Sequence, residues 1–195
     1  MLVDLWAPWC HTCLSVQNTV LTDPSFQPDA ERFVFAALDT DREVNADAVA
    51  RLPQTVWPTF YVISSAPAPG DAGDRADRGA PAVLARFAGG VTVAQFHALL
   101  EAGVKAALGG ADGADAKLLD AERALAARDL VGAERALTAA LAQAPTSWPR
   151  RADALTSLVA TKRRRKDVAG CLELADKALD DTGLTDRKST RLNSS

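Results

Sequence analysis

One segment constrains this chain more than any other: Trp6-Ala7-Pro8-Trp9-Cys10-His11-Thr12-Cys13. Before it, Leu2-Val3-Asp4-Leu5-Trp6 is an apolar run of strand length with one acidic interruption, and Pro8 breaks it. After it, Cys13, Leu14, Val16, Val20 and Leu21 recur at helical spacing within residues 10–21. The two cysteines therefore fall at a strand-to-helix turn. A cysteine at a helix N-terminus has its thiolate stabilised by unpaired backbone N–H groups and by the helix dipole, so Cys10 is expected to be a nucleophile near neutral pH. Cys13 follows one helical turn later, close enough to close a disulfide with it. One attacking and one resolving cysteine are what thiol–disulfide exchange requires.

The elements downstream alternate. Asp23-Pro24 is expected to end the first helix. Phe33-Val34-Phe35-Ala36-Ala37-Leu38 is a continuous apolar run of strand length closed by Asp39-Thr40-Asp41, and residues 45–52 fit a short helix with Asn45 as N-cap. Thr59-Phe60-Tyr61-Val62-Ile63 is β-branched and aromatic, hence a strand. Residues 64–81, rich in Ser, Pro, Gly and Asp, read as a surface loop, and residues 82–87 as another strand that can form a long-connected hairpin with the one before. Thr92-Val93-Ala94-Gln95 has capping-box spacing and opens a helix to about residue 108, with Val93, Phe96, Leu99, Leu100 and Val104 on one face.

The first segment, together with three matches further along, resembles the thioredoxin family, whose signature is a W-C-x-x-C segment at such a turn. The resemblance covers roughly residues 1–108. Asp4 falls where thioredoxins keep a buried acid behind the second cysteine; Trp57-Pro58-Thr59 matches the family's x-P-T segment, whose proline is cis and faces the cysteines; Gly89 matches a glycine after the last strand. Trp9-Cys10-His11-Thr12-Cys13-Leu14, followed by Leu21-Thr22-Asp23-Pro24-Ser25-Phe26, looks most like periplasmic thiol:disulfide interchange proteins, the C-terminal domain of DsbD-type reductases in particular. The resemblance implies an α/β thioredoxin fold, here a four-stranded mixed sheet with flanking helices, lacking the first strand and helix usual in the family. It implies that Cys10 attacks a protein disulfide, that Cys13 resolves the mixed disulfide, and that Asp4 takes the Cys13 proton. Trp9, His11, Thr12, Trp57, Pro58, Thr59 and Gly89 would border the substrate groove, and Trp6 would pack under the loop. It implies a second dithiol protein as electron partner, no bound cofactor, and a bacterial periplasm or cell envelope, with the cytoplasm as alternative. Two departures stand out. Ala37 occupies the position where many thioredoxins carry a lysine paired with the buried acid, and His11-Thr12 replaces the Gly-Pro of thioredoxin itself. An imidazolium at His11 beside the Cys10 thiolate would favour the reduced form, which predicts a less reducing pair.

Gly109-Gly110-Ala111-Asp112-Gly113 reads as a linker within residues 109–114, dividing a domain over 1–108 from an all-helical region over 115–185. Helices are expected over 115–128, 130–144, from near Arg150, and over 167–181. Asp129-Leu130-Val131-Gly132-Ala133 aligns with Asp167-Val168-Ala169-Gly170-Cys171 at an offset of 38 residues, against about 34 in a tetratricopeptide repeat. Degenerate tetratricopeptide repeats and generic Ala/Leu helical hairpins both satisfy this pattern. The helices would bind a protein partner or brace the first domain; in a rival reading they make the protein a chaperone or adaptor with the cysteines as its redox switch.

Composition narrows the remaining classes. The chain has 195 residues, 48% hydrophobic and 24% charged, the profile of a globular protein. A net charge of −3 argues against a nucleic-acid binder, and no apolar run reaches the ~18–20 residues of a membrane span. Beyond Cys10 and Cys13, zinc would find only Cys171, His11 and His97 among thiols and imidazoles, with His11 poorly placed, so no metal is expected. Cys171 is expected in a helix core with Leu174 and Ala178, His97 on the surface, and Lys162-Arg163-Arg164-Arg165-Lys166 as a solvated face at a helix C-terminus. Residues 186–195 lack apolar periodicity and match the translation of a common sequencing-adapter oligonucleotide; they are expected to be non-native, and without them the charge is −5. The chain opens directly into a strand, so a truncated N-terminus that once carried a signal is a further expectation.

Overall fold

A computed structural model describes residues 1–64 and 81–181, with side chains through residue 177. Apart from Ser64 and Pro81, the expected surface loop lies outside the described residues, as do the tail 186–195 and the Ala178 side chain.

Four strands form one mixed sheet: β1 (Leu2–Trp6), β2 (Phe35–Asp39), β3 (Thr59–Ile63) and β4 (Val83–Ala88), in the order β2-β1-β3-β4. β1 runs parallel to β2 and antiparallel to β3, and β3 is antiparallel to β4. Side chains alternate between the two faces, as the pleat requires. On one face Leu2, Phe60, Val62, Ala85 and Phe87 pack under α1 (His11–Thr19) and α4 (Val93–Ala107). On the other, Val3, Leu5, Tyr61 and Val83 meet α3 (Ala46–Arg51) through Val49 and α5 (Gly113–Ala126) through Ala126. The α4 capping box forms, with Thr92 N–H donating to Gln95 Oε1 at 2.9 Å and Gln95 N–H to Thr92 Oγ1 at 3.3 Å.

Three local expectations are corrected. Asp23-Pro24 does not end α1, which stops at Thr19 with Val20 as its C-cap, but starts the next element: Asp23 Oδ1 accepts from Ser25 N–H at 2.9 Å and Pro24 occupies a first-turn position, opening a 3₁₀ turn (Pro24–Phe26) and then α2 (Gln27–Arg32). Asn45 precedes α3 without capping it by its side chain; its Nδ2 donates to Asp39 O at 2.8 Å instead, tying a 3₁₀ turn (Glu43–Asn45) to the end of β2. His97 is half-buried rather than on the surface: it lies over Phe26 at a centroid distance of 4.2 Å, meets Ser25 Oγ at 2.9 Å through Nε2, and faces Asp29 through Nδ1 at 3.6 Å.

α6 (Leu130–Gln143), α7 (Arg151–Arg164) and α8 (Val168–Asp181) follow α5, each packed on the next. Their shared core is Leu118, Ala121, Leu137, Ala140, Ala154 and Leu158. The sequence repeat is also a geometric one. Arg128 and Lys166 both take positive φ, 60° and 63°, and the next residue, Asp129 or Asp167, then accepts from the N–H of Gly132 or Gly170 at 2.9 and 3.0 Å. Cys171 is partly buried and its thiol points to Val159 O at 3.6 Å. The basic run is only partly free: Lys162 and Arg165 both pair with Glu134.

The helical part is not strung out from the sheet. Arg150, 4% exposed, donates through Nη2 to Arg86 O on β4 at 2.8 Å and to Glu122 Oε1 on α5 at 2.6 Å, and its guanidinium pairs with Asp153 on its own helix. Burial works against the Arg150 charge, but the Asp153 and Glu122 carboxylates outweigh it and hold its pKa above the ordinary value. No helix among the described residues is long and apolar enough to cross a membrane.

Candidate redox site

Cys10 and Cys13 are joined in a disulfide at the start of α1. Cys10 is the N-cap: its backbone is extended, with φ −82° and ψ 96°, and its Sγ accepts from Cys13 N–H at 3.0 Å. That bond satisfies one of the orphan donors at the helix start, where negative charge on sulfur would also be stabilised. No acidic residue in the first turn offsets this field. Both cysteines are buried, Cys10 slightly less so. Cys10 is 6% exposed and Cys13 1%, while His11 and Thr12 between them are exposed. Trp6 and Trp57 pack against the pair with Ala7 beneath.

A tryptophan ledge stands beside the disulfide. Trp9 is 56% exposed yet held: its Nε1 donates to Asp41 Oδ2 at 2.7 Å and its ring meets Trp57 at a centroid distance of 5.3 Å. Trp57 Nε1 in turn donates to Thr40 Oγ1 at 3.0 Å. Thr40 and Asp41 belong to the turn after β2. Sequence reading found them only as the end of a strand, because their partners lie 17 and 32 residues away.

The Trp57-Pro58 peptide bond is cis, and Pro58 is buried. Pro58 O accepts from Gly89 N–H at 2.8 Å; Gly89 has φ +101°, a conformation that favours glycine. Thr59 is fully buried and its hydroxyl donates to Val56 O at 2.6 Å, so this side chain points into the fold rather than into a groove.

Asp4 lies on β1, 1% exposed, paired in register with Ala37 on one side and Phe60 on the other. Its Oδ1 is buried without a hydrogen-bond partner. Burial pushes its carboxyl up to about 6, opposed by a hydrogen bond with the Gln17 side chain. Gln17 lies four residues after Cys13 on α1, hence on the same helix face. The sheet thus holds an acid of raised pKa that is tied to α1 through Gln17, one turn after Cys13. Among the described residues, no three His, Cys, Asp or Glu side chains gather in a way that could hold a metal ion. In comparisons with known proteins, no family model matches the chain and no curated protein matches it.

Proposed function

We propose that this protein is a thiol:disulfide oxidoreductase of thioredoxin-like fold that acts on protein disulfides through Cys10 and Cys13. The observation that carries the reading is the disulfide at the N-terminus of α1, with Cys10 slightly more exposed as a residue than Cys13 and Trp57 packed against the pair. In the reduced protein the Cys10 thiolate attacks one sulfur of a substrate disulfide. A Cys10–substrate bond forms, the substrate S–S bond breaks, and the released thiolate takes a proton from water. Cys13 then gives its proton to Asp4 and attacks Cys10 Sγ, which expels the second substrate sulfur as a thiolate and closes the Cys10–Cys13 disulfide. A partner dithiol protein returns the pair to the reduced state. The cell envelope is the compartment that this reading favours, with the cytoplasm as alternative.

The test is equilibration against glutathione. The expected potential is less reducing than about −270 mV, because His11 stands beside the Cys10 thiolate. Cys10→Ser should abolish exchange, whereas Cys13→Ser should trap substrate as a stable mixed disulfide. If no Cys10–Cys13 disulfide forms at any poise, the reading falls. A second reading, a redox-switched adaptor, draws on Val168 and Leu172, which stand 63% and 60% exposed on α8. Partner capture that survives replacement of both cysteines by serine would favour it.

A further inference from the structure

A cavity of about 260 Å³ opens where the sheet meets α7. One wall is Val56, Gly89 and Gly90, from the loops that flank the disulfide; the opposite wall is α7 with Ser157 and Arg164. Gly90 sits against the redox turn itself, since a Cβ there would stand 3.1 Å from Thr12 Cγ2. Val56 immediately precedes the Trp57-Pro58 pair. A chain crossing the cysteines therefore meets a side-chain-free saddle at Gly89-Gly90, beyond which the cavity lies.

The charges that line the cavity are unbalanced. Asp153 lines it but is tied to Arg150, which is also met by Glu122. Arg86 lines it too, 8% exposed; its Nε donates to Tyr61 Oη at 3.1 Å, its guanidinium lies 5.6 Å from the Tyr61 ring centroid, and no carboxylate among the described residues pairs with it. Arg164, at the end of α7, has no ion pair among the described residues either, although Lys162 and Arg165 beside it are tied to Glu134. A nearly buried guanidinium without a counter-charge is costly, and a carboxylate brought to it relieves that cost. Two unmatched arginines with Ser157 and Gln95 between the same walls make an acceptor for one anionic group.

We infer that this cavity is a specificity pocket that takes the acidic side chain of a polypeptide whose disulfide is exchanged at Cys10. The assignment rests on the redox reading above. It makes the helical region part of the substrate groove, with Arg164 as its selecting residue. A free inorganic anion offers the same chemistry, so the test must separate the two.

Disulfide-bridged octapeptides would be made in pairs that differ only by Glu or Gln, with that residue moved through each position beside the attacked cysteine. Cysteine-free versions, with serine in place of each cysteine, would be titrated by calorimetry. At one position the Glu peptide should bind roughly fivefold tighter than its Gln counterpart and show a correspondingly lower KM. The preference should shrink in Arg164→Gln and invert in Arg164→Glu, an exposed position where folding is not at stake. Glu preference in the titration without turnover of any bridged peptide would sink the redox reading and leave the pocket standing. Turnover without Glu preference at any position, or a preference that survives Arg164→Glu, overturns the pocket. Binding of inorganic phosphate with Glu and Gln peptides indistinguishable overturns it as well.

Discussion

Asp4 is an acid in an apolar place, and its consequences can be followed with pH. Its ordinary value of 3.8 is raised to about 6 in the fold, chiefly by burial. Below 3.8 the group is protonated folded or unfolded and takes nothing from stability. As pH rises through 6 the fold must hold a charge that the unfolded chain holds more easily, a loss of about 3 kcal/mol at most. Asp4→Asn should therefore match the wild type in urea denaturation at pH 4 and exceed it by roughly 2 kcal/mol at pH 8. Equal stability of the two proteins at pH 8 would contradict the burial argument. In the proposed reaction the same substitution should slow resolution by Cys13 by about 10- to 100-fold, seen as a mixed disulfide that persists. The place of Cys10 and Cys13 at a strand-to-helix turn was legible from the sequence, because strand, turn and helix are consecutive there; the burial of Asp4 was expected only from the resemblance. Asp41, which holds Trp9, was not; a hydrogen bond across 32 residues leaves no local pattern.

At the scale of elements, α4 and β3 approach closely because Gly103 has no side chain. A Cβ there would stand 2.5 Å from Val62 Cγ1 and 2.9 Å from Val62 Cβ. Helix propensity alone says that Gly103→Ala stabilises by about 1 kcal/mol, whereas overpacking against a central strand costs about 1–3 kcal/mol. The overlap is with a stiff β-branched side chain on a fully paired strand, so overpacking should win and the melting temperature should fall. Val62→Ala placed on that background should recover part of the loss. A rise in melting temperature for Gly103→Ala alone would show that the contact is loose. The α4 capping box was readable four residues at a time; the contact between Gly103 and Val62 was not, since it depends on where a whole helix settles. β2 makes the same point. Its apolar run promised a strand, and the strand forms, but at the sheet edge, where Val34 and Phe35 stand 67% and 50% exposed.

For the molecule as a whole, Glu122, Arg150 and Asp153 decide how the helices meet the sheet. Removing Arg150 leaves two buried carboxylates without a partner, so Arg150→Met should destabilise by about 3–5 kcal/mol, read by urea denaturation at pH 8. A smaller loss would mean that the contact between the halves is carried by the apolar packing around Tyr61 and Ala126. Burial pushes Glu122 up to about 7, with Arg150 opposing. The sign is that of Asp4: stability present below 4.5 declines as pH rises through 7. Glu122→Gln should therefore flatten the fall in stability between pH 5 and pH 8. An unchanged pH dependence in that variant would place the titration elsewhere.

The sequence by itself determined what lies within a few residues: the cysteine pair at a strand-to-helix turn, the Thr92–Gln95 box, and the twin Asp-x-x-Gly helix starts at Asp129 and Asp167. Each depends on backbone geometry and on a donor and an acceptor already close along the chain. Only the tertiary structure decided which distant groups meet. It set His97 on Phe26 between Ser25 and Asp29, aimed Arg150 at Arg86 O across 64 residues, and left Arg86 and Arg164 beside one cavity with no ion pair of their own among the described residues. Such meetings follow from the summed packing of whole faces, where each helix position is fixed by many small contacts at once, and no short stretch of sequence encodes that sum.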